Sequence, residues 1–257
     1  MTMFRALAPG LIALGLFAAP LASPASAQTF SDGQRGEIES IIKKYLLENP
    51  ELLEQMAAEL SKRQTVADAA KHGAAVASNA DLIFKSPRGV TVGNKDGDVT
   101  FVEFFDYNCG YCKRAMMDMM QLMKNDPNLR VVLKEFPVLG PTSLEAAQVA
   151  VAVRMQDPTG KKYLDFHQKL LTGRGQADKA RAIAVAKEVG LDVARIERDM
   201  TSPEVRATLE ENFKLAESMG MNGTPSYVIG KQVVIGAIGV EGLAKKISEA
   251  RCGKPSC

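Results

Sequence analysis

The stretch VTFVEFFDYNCGYCKRAMMDMM, residues 99–120, carries two cysteines, Cys109 and Cys112, where two sequence patterns meet. Residues 99–106 are rich in β-branched and aromatic residues, which predicts a strand. The run that follows the cysteines has the composition and spacing of a helix. The stretch RVVLKEFPV, residues 130–138, predicts the next strand. The cysteine pair therefore lies between a strand and a helix, inside a strand–helix–strand unit.

This position suggests a different role for each cysteine. Cys109 is expected at the first turn of the helix, where unpaired N–H groups and the helix dipole favour an anion. A lowered thiol pKa would make Cys109 the nucleophile. Cys112 lies one turn further on and is expected to be more buried. It would resolve a mixed disulfide by forming the Cys109–Cys112 disulfide.

Two other interpretations of the pair are weaker. A structural zinc site needs four ligands, and the remaining candidates, Cys252, Cys257, His72 and His167, show no pairing with the motif. We therefore predict no metal site. A permanently closed structural disulfide is the second alternative.

A second motif, NGTPSYVIG, places Thr224 and Pro225 directly before a predicted strand. A cis proline there would hold a tight bend and leave backbone groups free to pair with an extended peptide. An ordinary trans proline at the start of a strand is the alternative. A hairpin turned by Gly230 and Lys231 and a last helix follow.

The stretches between these motifs complete an α/β pattern. The sequence DLIF, from Asp81, is a candidate strand, and residues 139–219 predict an insertion of three to five helices. The order of strand, helix, strand, helical block, hairpin and helix fits a sheet with helices on both sides.

The chain begins with a predicted signal peptide, residues 1–27. An apolar run too short to span a bilayer comfortably is followed by Ala25-Ser26-Ala27, which suits cleavage before Gln28. An uncleaved anchor is the alternative. The full chain has a formal net charge of +2, and loss of Arg5 with the signal would leave 31 basic and 30 acidic residues. This balance predicts no nucleic-acid partner.

Residues 28–78 predict two amphipathic helices separated at Asn49-Pro50, ahead of a domain at 79–257. Their apolar stripes must be buried somewhere. They could pack on their own domain or on copies of the chain. We favour copies, because the second helix continues as a long, alanine-rich, charged segment typical of a stalk or linker.

Together the two motifs resemble the DsbA-like thiol–disulfide oxidoreductases, which have a thioredoxin fold. The resemblance covers about residues 81–250 and predicts a thioredoxin fold with a helical insertion. It implies that Pro225 is cis and lies beside the cysteines, with Thr224 before it. It also implies that Glu103, on the strand before the cysteines, relays a proton to or from Cys112.

The residues between the cysteines bear on the direction of the reaction. Strongly oxidising members of the family usually have a His there, whereas this chain has Gly110 and Tyr111, which are neutral and also predicted to contact substrate. The same pair occurs in disulfide isomerases of the DsbC type. The resemblance therefore favours an isomerase or reductase over a dithiol oxidase, with no cofactor.

The N-terminal segment is similar to that of ScsC-like proteins, in which it joins protomers. The resemblance implies a periplasmic homo-oligomer, with a trimer as our hypothesis. Its partners would be exported proteins that contain cysteines and a membrane thiol reductase, or an oxidase, that resets the site. The redox potential, the clients and the resetting partner do not follow from the sequence.

Three smaller expectations remain. Five methionines on the helix after the cysteines could bind Cu(I), as in a copper-tolerance protein, but an adaptable core filler is favoured. Cys252 and Cys257 are expected to close a small structural loop, with free thiols as the alternative. A surface protein that uses the fold only as a scaffold is the last competing function.

Overall fold

The computed structural model describes residues 30–257. The predicted signal peptide, residues 1–27, lies outside these residues. The chain divides into two compact units, the first ending at Ala58 and the second running from Glu59 to Cys257. Within residues 30–257, no helix is both long and apolar enough to cross a membrane.

Two helices follow one another at the start of the described chain. Helix α1, Asp32–Glu48, begins with a capping box in which Ser31 and Gln34 satisfy each other's backbone N–H groups. Helix α2 spans Glu51–Ser78 after a break at Asn49. Helix α1 has no buried residue. Large apolar side chains on the two helices are exposed, namely Ile38, Ile41, Ile42, Tyr45, Leu46, Leu47, Leu53, Met56, Leu60 and Val66.

The rest of the chain alternates short strands with helices. The strands are β1 Val90–Gly93, β2 Val99–Phe105, β3 Leu129–Glu135, β4 Ser226–Ile229 and β5 Gln232–Ile235. The helices are α3 Ala80–Phe84, α4 Gly110–Asn125, α5 Pro141–Gln156, α6 Lys161–Thr172, α7 Lys179–Glu188, α8 Val193–Asp199, α9 Pro203–Ser218 and α10 Gly239–Cys252.

The five strands form one mixed sheet in the order β1-β3-β2-β4-β5. Strands β2 and β3 are parallel and are joined by α4, and the other three pairings are antiparallel. Strand β2 is central, and all its residues but Thr100 are buried. This arrangement confirms the predicted thioredoxin fold.

Side-chain alternation along β2 divides the core between the two faces of the sheet. Phe101 and Phe105 pack into the larger cluster with residues of α4, α6 and α10. Val102 and Phe104 pack into a second cluster with residues of α3 and α9. Glu103 follows the alternation and shares the face of Phe101 and Phe105, the face covered by α4.

Five helices, α5 to α9, separate β3 from β4. The predicted insertion at 139–219 had three to five helices. Helix α5 contributes a nearly continuous buried run, including Val149, Ala150, Val151 and Ala152. This helix is therefore a core element of the second unit rather than a surface addition.

The predicted strand at DLIF is wrong. These residues belong to α3, in which the Ile83 N–H donates to the Asn79 carbonyl at 2.9 Å. Buried Ile83 packs in the cluster that also contains Val76 of α2, so packing against neighbouring helices overrides the local β preference. The first strand is instead β1, whose short Val-Thr-Val alternation the sequence reasoning did not recognise.

The methionines of α4 provide a matched pair for testing the core. Met119 is fully buried and Met117 is 61% exposed. We expect Met119→Ala to lower the free energy of unfolding by about 2–5 kcal/mol, because it leaves a cavity. Met117→Ala should change it by less than about 0.5 kcal/mol. Urea unfolding of the reduced protein measures both values, and equal values would contradict this packing.

Candidate active site

The two cysteines lie where β2 gives way to α4. Cys109 is the N-cap residue of α4 and Cys112 lies in its first turn. Both sulfurs are free thiols. Cys109 retains 6% exposure and Cys112 none. The structure thus brings the predicted nucleophile to the edge of the surface and places the predicted resolving cysteine behind it.

The second motif lies directly beside Cys109. The Thr224–Pro225 peptide bond is cis. The Cys109 Sγ donates to the Thr224 carbonyl oxygen at 3.2 Å. Pro225 is buried, and its own carbonyl accepts from the Gly236 N–H at 2.9 Å. Residues more than 100 positions apart in the sequence therefore form one surface around the Cys109 sulfur.

The environment of Cys109 favours a thiolate. Hydrogen bonding by the Cys112 thiol is the largest effect and lowers the pKa of Cys109 to about 5. The Thr224 side chain and the backbone N–H groups of Tyr111 and Cys112 act in the same direction, whereas burial opposes them. The N–H groups are those left unpaired at a helix N-terminus. No charged side chain between the cysteines is needed for this effect.

Cys112 has the opposite environment. Burial, followed by the hydrogen bond to Cys109 and the charge of Glu103, raises its pKa well above the usual range of a thiol. Cys112 is therefore a neutral thiol at neutral pH and must lose a proton before it can attack a sulfur.

Glu103 is a buried carboxyl group that can accept the proton of Cys112. It is 1% exposed, and burial raises its pKa to about 8, with contributions from the charges of Asp118 and Cys109. A carboxyl group with a pKa near neutrality can both accept and return a proton. Because the charge of Glu103 contributes to the raised pKa of Cys112, the two groups are electrostatically coupled.

The residues between the cysteines are open to solvent. Gly110 is exposed, and Tyr111 is 58% exposed, with the Arg114 guanidinium 4.8 Å from the centre of its ring. Arg114 is thus directed over the ring of Tyr111. Both residues remain available to contact a polypeptide bound at Cys109.

Sequence reasoning missed the residues that hold the active-site turn. Buried Asp106 accepts from Asn108 N at 2.8 Å and Ser143 Oγ at 2.7 Å through one oxygen. Its other oxygen accepts from Val138 N at 2.8 Å and Leu139 N at 2.9 Å. This carboxylate ties the end of β2 to the segment that leads into α5.

Asn108 makes a second connection. Its side chain donates to Ser143 Oγ at 3.0 Å and to the Ala177 carbonyl at 2.9 Å, and it accepts from Ala177 N at 2.8 Å. The Asp-Tyr-Asn sequence before Cys109 was a local signal for a turn. Nothing in the local sequence indicates its distant partners, Ser143 and Ala177.

The other predicted candidates lie apart from this site. Cys252 and Cys257 are joined by a disulfide at the end of α10. The side chain of neighbouring Arg251 donates a hydrogen bond to Asp98, which lies just before β2. The disulfide is thus near the opposite end of that strand from Cys109. Met116 and Met119 are buried in the core, Met120 and Met123 pack against it, and Met117 is exposed. This division favours a packing role for the methionines.

Among residues 30–257, no group of three or more His, Cys, Asp or Glu side chains could hold a metal ion. His167 is buried, and its Nδ1 lies 3.3 Å from the Tyr107 hydroxyl. The arrangement at Cys109 is suited to thiol–disulfide exchange, since it combines a thiolate-favouring site, a buried second thiol and a carboxyl group that can exchange a proton.

The two thiols should differ sharply in alkylation. With iodoacetamide, we expect Cys109 of the reduced protein to react with a pH midpoint near 5 and Cys112 to stay unmodified up to about pH 9. In Cys112→Ala the midpoint should rise, because the thiol hydrogen bond is lost. Mass spectrometry of the alkylated protein across pH 4–9 measures both, and a wild-type midpoint above 8 would contradict a stabilised thiolate.

Comparison with known proteins identifies two matching families. The model of the DSBA-like thioredoxin domain matches residues 100–248. The model of the copper resistance protein ScsC N-terminal domain matches residues 34–66.

Two solved structures are similar over most of their length. A thioredoxin-like oxidoreductase from Silicibacter pomeroyi is 43% identical, with a TM-score of 0.63 over 66% of this chain and 96% of that one. A linker-deletion mutant of Proteus mirabilis ScsC is 28% identical, with a TM-score of 0.64 over 89% of this chain and 98% of that one.

The curated relatives are longer proteins. The Na(+)/H(+) antiporter NhaA 1 of Salinispora arenicola is 24% identical over 163 residues, which cover 63% of this chain and 24% of the antiporter. The chain thus spans about a quarter of the length of that relative.

Proposed function

The chain belongs to the DSBA-like thioredoxin domain family, whose members are thiol–disulfide oxidoreductases, and we propose that it acts in the periplasm as a protein disulfide isomerase or reductase. The contact between Cys109 Sγ and the Thr224 carbonyl, with Cys112 buried behind it, carries the proposal. It places a thiolate-favouring sulfur beside backbone groups that can pair with an extended client.

The reaction starts from the dithiol. The Cys109 thiolate attacks one sulfur of a client disulfide, a mixed disulfide forms, and the other client sulfur leaves as a thiolate. In an isomerase that client thiolate attacks elsewhere in the client and frees Cys109. In a reductase Cys112 attacks Cys109 Sγ, so that the client is reduced and the Cys109–Cys112 pair is oxidised.

Two observations support isomerisation or reduction over oxidation. No cation lies between the cysteines, since Gly110 and Tyr111 are neutral. The pKa of Cys109, about 5, lies between the values of about 7 in thioredoxin and about 3.5 in the strong oxidant DsbA. A thiolate stabilised to this intermediate degree gives a less oxidising disulfide than that of DsbA.

The exposed apolar side chains of α1 and α2 support oligomerisation. At least eight large apolar residues on residues 32–58 are exposed in the single chain, including Ile41 at 67% and Leu47 at 73%. A concentration of exposed apolar side chains of this kind marks an interaction site. Further copies of the chain are the proposed partner, in a homotrimer that would present several Cys109 sites to one client.

The proposed clients are exported proteins that contain cysteines. A membrane thiol reductase would return the oxidised pair to the dithiol. The dithiol oxidase remains the second candidate, because a pKa of Cys109 below 7 also favours a disulfide that accepts electrons. In that case a membrane oxidase would reset the site.

Refolding of a scrambled disulfide protein distinguishes the two candidates. We expect the mature wild type to restore most of the client's activity in a redox buffer, and Cys109→Ser to restore none. Cys112→Ser should retain part of the isomerase activity but lose reductase turnover, since only Cys109 is needed for reshuffling. Rapid oxidation of a reduced client without reactivation of the scrambled one would favour the oxidase.

The oligomer can be tested on the same mature chain. Replacing Ile42 and Leu46 by Glu should dissociate the wild-type oligomer into monomers, because buried carboxylates without partners are costly. Lys43→Glu is the matched control, since Lys43 lies between the two apolar positions on an exposed part of α1. Light scattering reports the mass, and a monomeric wild type would contradict the proposal.

A further inference from the structure

Two buried polar atoms beside the cysteines have no hydrogen-bond partner within residues 30–257. They are Glu103 Oε2 and the hydroxyl oxygen of Tyr227. Buried polar atoms without partners are rare in folded proteins and are often found at functional sites. Their shared location therefore calls for an explanation beyond packing.

Strand pairing places these two groups together. Glu103 of β2 and Tyr227 of β4 are direct partners in the antiparallel register. Such partners project to the same face, with Cβ atoms about 4.5–5.5 Å apart. The Tyr227 ring packs on Phe101, with ring centroids 5.1 Å apart. The hydroxyl and the carboxyl group thus lie on the face of the sheet that α4 covers.

Asp118 of α4 is the third member of this group. Its charge raises the pKa of Glu103 and contributes to the raised pKa of Tyr227, although burial is the larger cause in both cases. The charge of Asp118 therefore acts on both groups. Its own pKa is raised by burial, and the nearby Arg114 opposes that change.

Few other groups near Glu103 can exchange a proton with it. On α4 the titratable neighbours are Cys109, Cys112 and Asp118. The β3 partner of Glu103 is the apolar residue Leu133. Leu243 and Ile247 of α10 are apolar members of the core on the same face of the sheet.

The two buried charged residues of β3 have other partners. Lys134 bonds Glu211 and Asn212 of α9, on the opposite side of the sheet. Glu135 accepts from the Tyr163 hydroxyl at 2.5 Å. Neither of these residues is engaged with Glu103.

Asp118 also reaches solvent. It lines a cavity of about 440 Å³ beside α4, together with Lys113, Arg114, Met117, Ala237 and Gly239. Asp118 is only partly buried, whereas Glu103 and Tyr227 are buried. A cavity of this size has ample room for water molecules.

We propose that the Tyr227 hydroxyl and Asp118 form the outer part of the proton path that serves Glu103, with Asp118 at its solvent end. The inference rests on the proposed reductase reaction of Cys109 and Cys112. Both are positioning residues in that reaction, since they act on the sulfurs only through Glu103.

The step they assist is resolution of the mixed disulfide. The Cys112 thiol gives its proton to the Glu103 carboxylate, and the resulting thiolate attacks Cys109 Sγ. The Cys109–Cys112 bond forms, the bond from Cys109 to the client breaks, and the client leaves as a thiolate with the electron pair. Glu103 then passes the proton toward the cavity at Asp118 and regains its charge.

Single-turnover kinetics with a disulfide-containing peptide test this path. Mixing reduced enzyme with the peptide separates the attack by Cys109 from the later resolution by Cys112. The variants are Asp118→Ala and Tyr227→Phe. The control is Asp165→Asn, which neutralises an exposed carboxylate on α6. Thermal melting checks that each variant is folded, and Tyr227→Phe keeps the ring that packs on Phe101.

We expect both variants to keep the wild-type rate of attack and to slow the maximal rate of resolution, measured at pH values above its midpoint, about threefold to tenfold. That loss is smaller than the hundredfold or more typical of removing an acid–base group itself. In Asp118→Ala the pH midpoint of resolution should fall by on the order of one unit, because a like charge near Glu103 is lost. Added formate should restore the rate of Asp118→Ala and leave Asp165→Asn unchanged.

The outcomes separate this inference from the proposed function. If the wild type forms no mixed disulfide with the peptide, the proposed exchange reaction fails. If it reacts and resolves normally but both variants match the control, only the proton path is wrong. A shifted midpoint without slower resolution or rescue by formate also overturns the path, since Asp118 would then be only an electrostatic neighbour of Glu103.

Discussion

The burial of β2 on both faces is the constraint on which the site depends. Because β2 is the central strand, its residues cannot shift without disturbing both core clusters. Its end at Phe105 therefore fixes where the chain leaves the sheet. Asp106 then fixes the turn that follows, because it accepts four hydrogen bonds, from the Ser143 hydroxyl and from the backbone N–H groups of Asn108, Val138 and Leu139. The buried strand and this turn together determine the position of the Cys109 sulfur.

The two thiols differ because the same framework gives them opposite surroundings. Cys109 sits at a helix end with unpaired N–H groups and a hydrogen-bonding thiol, so its charged form is favoured. Cys112, three residues on, is fully enclosed, so its neutral form is favoured. An exchange enzyme needs this difference, because one thiol must attack and the other must wait until a proton acceptor is ready. Glu103 connects the two requirements, since it is coupled to both sulfurs.

Local patterns in the sequence were sufficient for the elements that carry the chemistry. The apolar and aromatic run of β2, the methionine-rich helix and the Gly-Thr-Pro motif each have short-range signals, and their order matches the thioredoxin fold. The α3 residues misled, because Leu82, Ile83 and Phe84 form a short apolar run that resembles a strand. Ile83 and Phe84 pack instead in a cluster that includes residues of α2 and α9. The partners of Asp106 and Asn108 lie up to 69 residues away. No local pattern could indicate such contacts, which appear only once the helical insertion has folded against the sheet.

Strand register places Glu103 and Lys134 on opposite faces of the sheet. Successive residues of a strand point to opposite faces, so a slip of one residue would exchange the two sets. In the observed register Glu103 lies opposite Tyr227 and beneath α4, with the cysteines. Lys134 faces the other side, where Glu211 and Asn212 satisfy it, and Glu211 also bonds Arg88. Because these partners balance its charge, Lys134 has a structural role. On the cysteine face the carboxyl group of Glu103 has no basic partner among residues 30–257. A carboxylate paired with a lysine would hold its charge and titrate well below neutral pH. An unpaired, buried one can change protonation near neutral pH, which is the property that a cycle of thiol–disulfide exchange requires.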